Sequence, residues 1–371
     1  MAQFRGNRFV NVATQPKLSL RPKSEEFASL LALSTSVGCD PQLVQGNNGN
    51  ISLKFDGVLW IKASGKWLAN AKIEETFVPV ELAVVKESLR KNMEIGQVYS
   101  WGDRLRPSIE TAMHAVLQHR VVLHVHSVNT IAWAVRRDGP SQLSKRLAGL
   151  DWQWIPYVSS GIPLAKKIEE VLSETPEANI FILGNHGLVI CGNDCEGAEA
   201  LLNEVERRLA VIPRQSPEPE AGLLAALSDC SHWHFPDIPA LHALGTDPVS
   251  RRILKGGVLY PCQAIFLGPK IPMLPFSTPL SRFAGYSNGK AQAPAYVIIE
   301  GGGVVLNENI NSAEYATLIG LMLIVQRIEE FAPLRYLTVR EIASILGDET
   351  NRYRQPSSDK YRVSINTEIG P

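Results

Sequence analysis

"NIFILGNHGLVICG", residues 179–192, decides the fold. Its apolar residues fall into two short runs, Ile180–Leu183 and Leu188–Cys191. Each is too short for a helix and rich in β-branched side chains, so both are predicted strands. Gly184-Asn185-His186-Gly187 separates them as a tight reversal. "EGAEALLNEVERRLA" (196–210) then spaces its apolar residues helically and predicts an amphipathic helix. A bulky polar histidine in a glycine-flanked break has no packing reason to be there. His186 is therefore a candidate functional residue.

Working toward the N-terminus, "VVLHVHSV" (121–128) is a further β-branched strand. His124 and His126 stand at i and i+2, so both side chains leave one face of it. A half-exposed strand can carry two solvated histidines, and this pair alone decides nothing. With His186 the set becomes three imidazoles, the donor pattern of a catalytic zinc site with an open fourth position. "SIETAMHAVLQH" (108–119) predicts a helix with Ser108 as N-cap, and it puts Glu110 one turn before His114. Beside a divalent metal Glu110 becomes a candidate general base or displaceable ligand.

Further upstream, "ISLKF" and "VLWIK" flank Asp56-Gly57, a hairpin signal. "SEEFASLLALSTSVGCD" (24–40) is helical, with Gly38 as the expected C-cap. The "QGNNGNIS" turn (45–52), the "KASGK" turn (62–66) and Ser108 offer amide, hydroxyl and backbone N–H donors. Lys62 or Lys66 could add charge, which suits a phosphorylated small molecule bound beside the metal.

Toward the C-terminus, "VIPRQSPEPEAG" (211–222) is Pro-rich and polar and predicts a linker. Beyond it, "VIIEGGGVVL" aligns with "FILGNHGLVI" when Gly302 is set on His186 (302 − 186 = 116). A degenerate internal repeat that has lost the histidine is one reading, and chance is the other. The "CSHWHFPDIPALH" segment (230–242) holds Cys230, His232, His234 and His242, but its Trp and Pro residues favour an irregular structural role. "CGNDC" (191–195) lacks a second cysteine pair, and "EGGG" (300–303) lacks the Lys-Ser/Thr of a phosphate loop.

The 371 residues carry 37 basic and 37 acidic side chains, a balance that removes any global attraction to nucleic acid or an acidic membrane. "ATLIGLMLIV" (316–325) is too short to span a bilayer. The first 24 residues contain Arg5, Arg8, Lys17, Arg21 and Lys23 and no acid, yet lack the apolar core of a secretory signal. A basic arm is favoured over a transit peptide. Five cysteines, odd in number and sparse, point to a reducing, cytoplasmic setting.

In order, "GNNGNIS", "IKASG", "RPSIETAMH", "LHVHS" and "FILGNHGLVICG" resemble the class II aldolase/adducin family over roughly residues 24–210. "GVLWIKASGKWLANA" (57–71) is similar to the aldolase part of bifunctional rhamnulose-phosphate aldolase/alcohol dehydrogenase proteins. No G-x-G-x-x-G follows a predicted strand past residue 210, so the dehydrogenase half is not expected.

The resemblance implies a three-layer α/β/α domain with a largely antiparallel central sheet over residues 1–212. A linker at 213–222 and a C-terminal α/β extension at 223–371, read as a possible metal-free repeat, would follow. It also implies zinc or another divalent metal on His124, His126 and His186, with Glu110 as acid/base. Asn50, Ser64, Gly65 and Ser108 would form the phosphate subsite. The family pattern departs at Lys62-Ala63, where many members carry Thr-Pro, so the charge of the anion subsite differs. Tyr157, in the family-like "IPYVSSGIPLA" (155–165), has no assignable role.

The implied activity is that of a metal-dependent aldehyde-lyase, cleaving a sugar phosphate or related hydroxy-ketone in a homo-oligomer. A pentulose-phosphate 4-epimerase, a dehydratase or a decarboxylase would use the same residues. An adducin-like scaffold is the non-enzymatic alternative, and the retained histidines argue against it.

Overall fold

The computed structural model describes residues 24–95, 105–219, 232–278 and 293–347. The basic N-terminal arm, residues 220–222 of the expected linker, Cys230 and the tail from Asn351 lie outside them.

Among the described residues, seven strands form the larger sheet: β1 (Asn50–Phe55), β2 (Val58–Lys62), β3 (Phe77–Glu81), β4 (Val121–Val125), β5 (Trp152–Ile155), β6 (Ile180–Leu183) and β7 (Gly187–Gly192). Their order is β3-β2-β1-β4-β7-β6-β5, and only β5 and β6 run parallel. The Asp56-Gly57 hairpin forms with both residues at positive φ, 47° and 76°, the backbone that a two-residue turn demands.

One sheet face buries Ile51, Leu123, Val125 and Ile182 under α1 (Ser24–Cys39), α5 (Gly139–Arg146) and α7 (Cys195–Leu209). The other buries Ile61, Val122, Phe181 and Val189 under α2 (Leu82–Arg90), α3 (Thr111–Val116) and α6 (Ile162–Glu174). The expected three layers are present. Each fully buried aliphatic side chain is worth about 1.5–3 kcal/mol, so these faces, rather than helix propensity, hold the layers together.

Three local expectations need correction. The helix expected over 108–119 is only α3, because Leu117 turns extended (ψ 128°) and drops into the core before β4. Ser108 is therefore not its N-cap; Ser108 Oγ accepts from the Glu110 N–H at 3.2 Å. Gly38 lies within α1 instead of capping it: a Cβ there would stand 2.2 Å from Ala69 N, so glycine is needed for close approach. The strand expected over 121–128 ends at Val125, since Ser127 caps α4 (Val128–Ala134) by accepting from Thr130 N.

Beyond residue 232, β8 (Trp233–His234), β9 (Met273–Leu274), β10 (Tyr296–Ile299) and β11 (Gly303–Asn307) form a second sheet, ordered β8-β11-β10-β9. It is accompanied by α8 (Ala243–Thr246), α9 (Pro248–Lys255), α10 (Pro261–Leu267), α11 (Ser312–Val325) and α12 (Val339–Gly347). The "ATLIGLMLIV" run lies in α11, where all of it but Ala316 is buried, and no described helix is long and apolar enough to cross a membrane.

β10 pairs antiparallel with β11 and parallel with β9, as β6 does with β7 and β5. The register Ile180↔Ile190 recurs as Tyr296↔Leu306, each residue displaced by 116 (296 − 180; 306 − 190). The apolar core of the C-terminal unit also takes in Val128, Ile131 and Ala132 of α4 and Val135 just after it, so it is continuous with the first unit. The start of the expected linker is anchored as well: Arg214 donates to Asp247 Oδ2 at 2.7 Å and to Val325 O at 3.1 Å.

Candidate metal centre

Two neighbouring strands and two turns bring the three histidines together. His124 sits on β4, His126 two residues on, just past its end, and His186 in the turn from β6 to β7. All three are buried, with one ligand atom each within 4.8 Å of the others and ring centroids 4.8–5.3 Å apart. Gly187 makes room for them, because a Cβ there would meet Val125 O at 2.6 Å and His124 Cε1 and His126 Cδ2 at 3.3 Å.

His124 Nδ1 lies 3.0 Å from Leu188 O, which can only accept, so Nδ1 carries the proton and donates. In the neutral ring Nε2 is then a bare lone pair, and it stands 3.2 Å from His126 Nε2. A buried imidazole with its other nitrogen donating to a backbone carbonyl is the arrangement a metal ligand needs. The donor set fits a divalent cation with affinity for nitrogen.

Glu110 completes the cluster. Its side chain is 2% exposed, with Oε1 3.3 Å from His186 Nε2 and 3.5 Å from His124 Nε2. Oε2 accepts from Asn50 Nδ2 at 2.6 Å. Glu110 immediately precedes α3, and its carbonyl accepts from His114 N at 3.1 Å.

Asn50, Ser64, Gly65 and Ser108 line one small cavity together with Glu110 and His126. Asn50 spends its amide on Glu110, and the Ser64 N–H is taken by Arg106 O at 2.8 Å. The hydroxyls of Ser64 and Ser108 and the Gly65 backbone, at φ 78°, are what this wall can present to an anion. Lys62 lies in the same wall, buried, and donates to Asn47 O and Lys66 O, both at 2.7 Å. Its ammonium thus ties the two turns together. Lys66 pairs with Glu74 at 2.6 Å.

Among the described residues no second group of metal-competent side chains forms. His232 pairs with Glu308 at 2.7 Å and His242 Nδ1 accepts from Val304 N at 3.1 Å, while Cys230 lies outside the described residues. Tyr157 stacks under the Arg335 guanidinium at 5.0 Å, and burial pushes its phenol up to about 12. Two residues at the centre went unremarked in the sequence: Asn185, at φ 53°, and Cys262, whose sulfur is 3.6 Å from His126 Nδ1. Only the glycine-flanked position hinted at Asn185, and nothing 136 positions away could have pointed to Cys262.

The sequence model of the Class II Aldolase and Adducin N-terminal domain matches residues 28–212. The chain belongs to the class II aldolase/adducin family. Its aldolase/adducin segment holds the three histidines, Glu110 and the cavity wall, whereas Cys262 lies outside it.

The Bacillus subtilis (strain 168) protein "Uncharacterized oxidoreductase YuxG" is 30% identical over 192 residues, 47% of this chain and 27% of that protein. The chain thus spans about a quarter of that relative's length. A methylthioribulose-1-phosphate dehydratase of Pectobacterium carotovorum subsp. carotovorum (strain PC1) is 29% identical over 214 residues, 50% of this chain and 97% of that protein. The N-terminal class II aldolase domain of a Thermoplasma acidophilum protein matches at 21% identity and a TM-score of 0.44, covering 53% of this chain and 98% of that one.

Proposed function

We propose that the protein is a metal-dependent lyase that reversibly cleaves a carbon–carbon bond in a phosphorylated sugar or related hydroxy-ketone. The observation that carries this reading is the Glu110 carboxylate, held by Asn50 on one oxygen and turned by the other toward three converging imidazoles. His124, His126 and His186 would hold zinc or another divalent cation, which when bound supplies Lewis-acid polarisation of the substrate carbonyl. Ser64, Gly65 and Ser108 would bind the phosphate and fix the reacting carbons over Glu110. Glu110 Oε1 would take the proton of the hydroxyl that becomes the aldehyde and return it to the carbon left behind. Burial of the site excludes bulk water, which strengthens each of these contacts.

Loss of water from the same class of substrate is the second reading. It is favoured by the near-complete coverage of the Pectobacterium dehydratase. Incubating the protein with triose-, pentulose- and hexulose-phosphates, with and without chelator, and identifying the products separates the two. Chelator-sensitive release of an aldehyde supports cleavage, and a dehydrated ketone of unchanged carbon count overturns it.

The same reading extends to the organisation of the chain, with residues 223–371 as a metal-free partial repeat of the aldolase fold. Its support is the shared strand order and register at a displacement of 116, with Gly302 in place of His186. A homo-oligomer is part of the proposal, and sedimentation analysis at two protein concentrations tests it.

A further inference from the structure

We propose that the C-terminal unit positions the metal centre, orienting His126 through Cys262 and the His186 turn through Asn185. The inference rests on reading the three histidines as ligands, and two independent contacts carry it.

The first begins at His126. Its Nε2 faces His124, so Nδ1 points away from the cluster, and the Cys262 sulfur of α10 lies 3.6 Å from it. The same sulfur is 3.1 Å from Asn48 Oδ1. Asn48 Nδ2 donates to Gln45 O at 2.7 Å, which fixes the amide so that its oxygen faces the thiol. An amide oxygen only accepts, so the thiol proton goes to Asn48 and the sulfur lone pair is left to accept from His126 Nδ1–H. That polarity leaves Nε2 bare for a metal. Cys262 thereby does for His126 what Leu188 O does for His124.

The second contact lies beside His186. Asn185 holds a left-handed φ of 53°, a conformation that costs a non-glycine residue energy unless its surroundings impose it. Its Nδ2 donates to Leu259 O and Arg335 O, each at 2.8 Å, and its Oδ1 accepts from Arg335 Nη1 at 3.0 Å. All three partners belong to the C-terminal unit. Arg335 is itself fixed by its N–H to Val135 O at 2.8 Å and by Glu341 at 2.6 Å. The turn that aims His186 is thus set from outside the strands that carry it.

The test uses full-length protein stripped by chelator and titrated with Zn2+ against a competing chelator, with Co2+ as a spectroscopic probe. Cys262→Val stays apolar and removes the polar link, Cys262→Ser keeps the link, and Asn185→Gly keeps the φ while removing three hydrogen bonds. Loss of a ligand-orienting partner weakens metal binding roughly 10–100-fold. That loss is expected in Cys262→Val and Asn185→Gly, each with a changed Co2+ ligand-field spectrum, while Cys262→Ser stays within a few-fold of the parent. Far-UV dichroism verifies folding, and Asn185→Gly stands as the second probe should Cys262→Val fail to fold. Parent-like affinity and spectra in Cys262→Val and Asn185→Gly, with metal lost in the His126→Ala control, would overturn the positioning role alone. Equal losses in the Ser and Val variants would reduce Cys262 to packing. Parent-like metal binding by His126→Ala would instead remove the ligand reading beneath the proposal.

Discussion

Asn50 Nδ2 stands 2.6 Å from Glu110 Oε2, so the residue that opens β1 holds the carboxylate as well as lining the cavity. A hydrogen bond to a charged group is worth about 1.5–3 kcal/mol, roughly 10–100-fold in rate if it serves only the transition state. Asn50→Ala is expected to lower kcat by that factor and leave KM for the phosphorylated substrate within about two-fold. A raised KM at unchanged kcat would return Asn50 to the phosphate subsite.

His126→Ala and Glu110→Gln separate ligand from acid/base. The first removes one of three converging nitrogens, and elemental analysis should find its metal gone. The second keeps the shape and a carbonyl oxygen, so metal content should match the parent while turnover falls about 100-fold or more, the scale of a lost general base. Equal metal loss in both would make Glu110 mainly a ligand.

The strands of the first unit and the candidacy of His186 were legible because both rest on local patterns, whereas the meeting of the three histidines was implied only by the family resemblance. Strand periodicity, the Asp56-Gly57 signal and a histidine between glycines are short-range facts. What escaped notice depends on distant groups. Lys62 reads as a free cation until the turn carbonyls of Asn47 and Lys66 are seen around its ammonium. Gly38 reads as a cap until Leu68 and Ala69 are found against it. Cys262 belongs to a helix whose sequence says nothing of His126.

Ser108 faces the cavity while its hydroxyl also accepts from the Glu110 N–H at 3.2 Å. Ser108→Ala should raise KM for phosphorylated substrates by about 1–3 kcal/mol, with a smaller change in kcat. Steady-state kinetics on a phosphorylated substrate and its unphosphorylated analogue provides the comparison. An equal effect on both would place Ser108 outside the anion subsite.

Gly38→Ala sets two effects against each other. Helix propensity favours alanine by about 1 kcal/mol. The new Cβ, however, would lie 2.2 Å from Ala69 N and 2.5 Å from Leu68 C, backbone atoms that cannot step aside cheaply. Overpacking of this kind costs about 1–3 kcal/mol, so the variant should unfold at lower urea than the parent. A higher midpoint would mean that α1 can shift away from the Leu68 turn.

His114 is buried against Ser52, with Nδ1 2.8 Å from the Ser52 hydroxyl, and its Nε2 has no hydrogen-bond partner among the described residues. Burial first, then the Lys54 charge, lowers its pKa to about 3 from the ordinary 6.5. Between those values the unfolded chain binds a proton at this site that the folded chain refuses. Stability therefore falls as pH drops through 6.5 toward 3, by up to about 1.4 kcal/mol per pH unit. His114→Asn keeps a partner for Ser52 but cannot titrate. In urea unfolding of the chelator-treated proteins, the advantage of the parent over the variant should shrink by about 2 kcal/mol between pH 7 and pH 5. A constant difference across that range would mean that His114 takes up its proton in the folded protein as readily as in the unfolded chain.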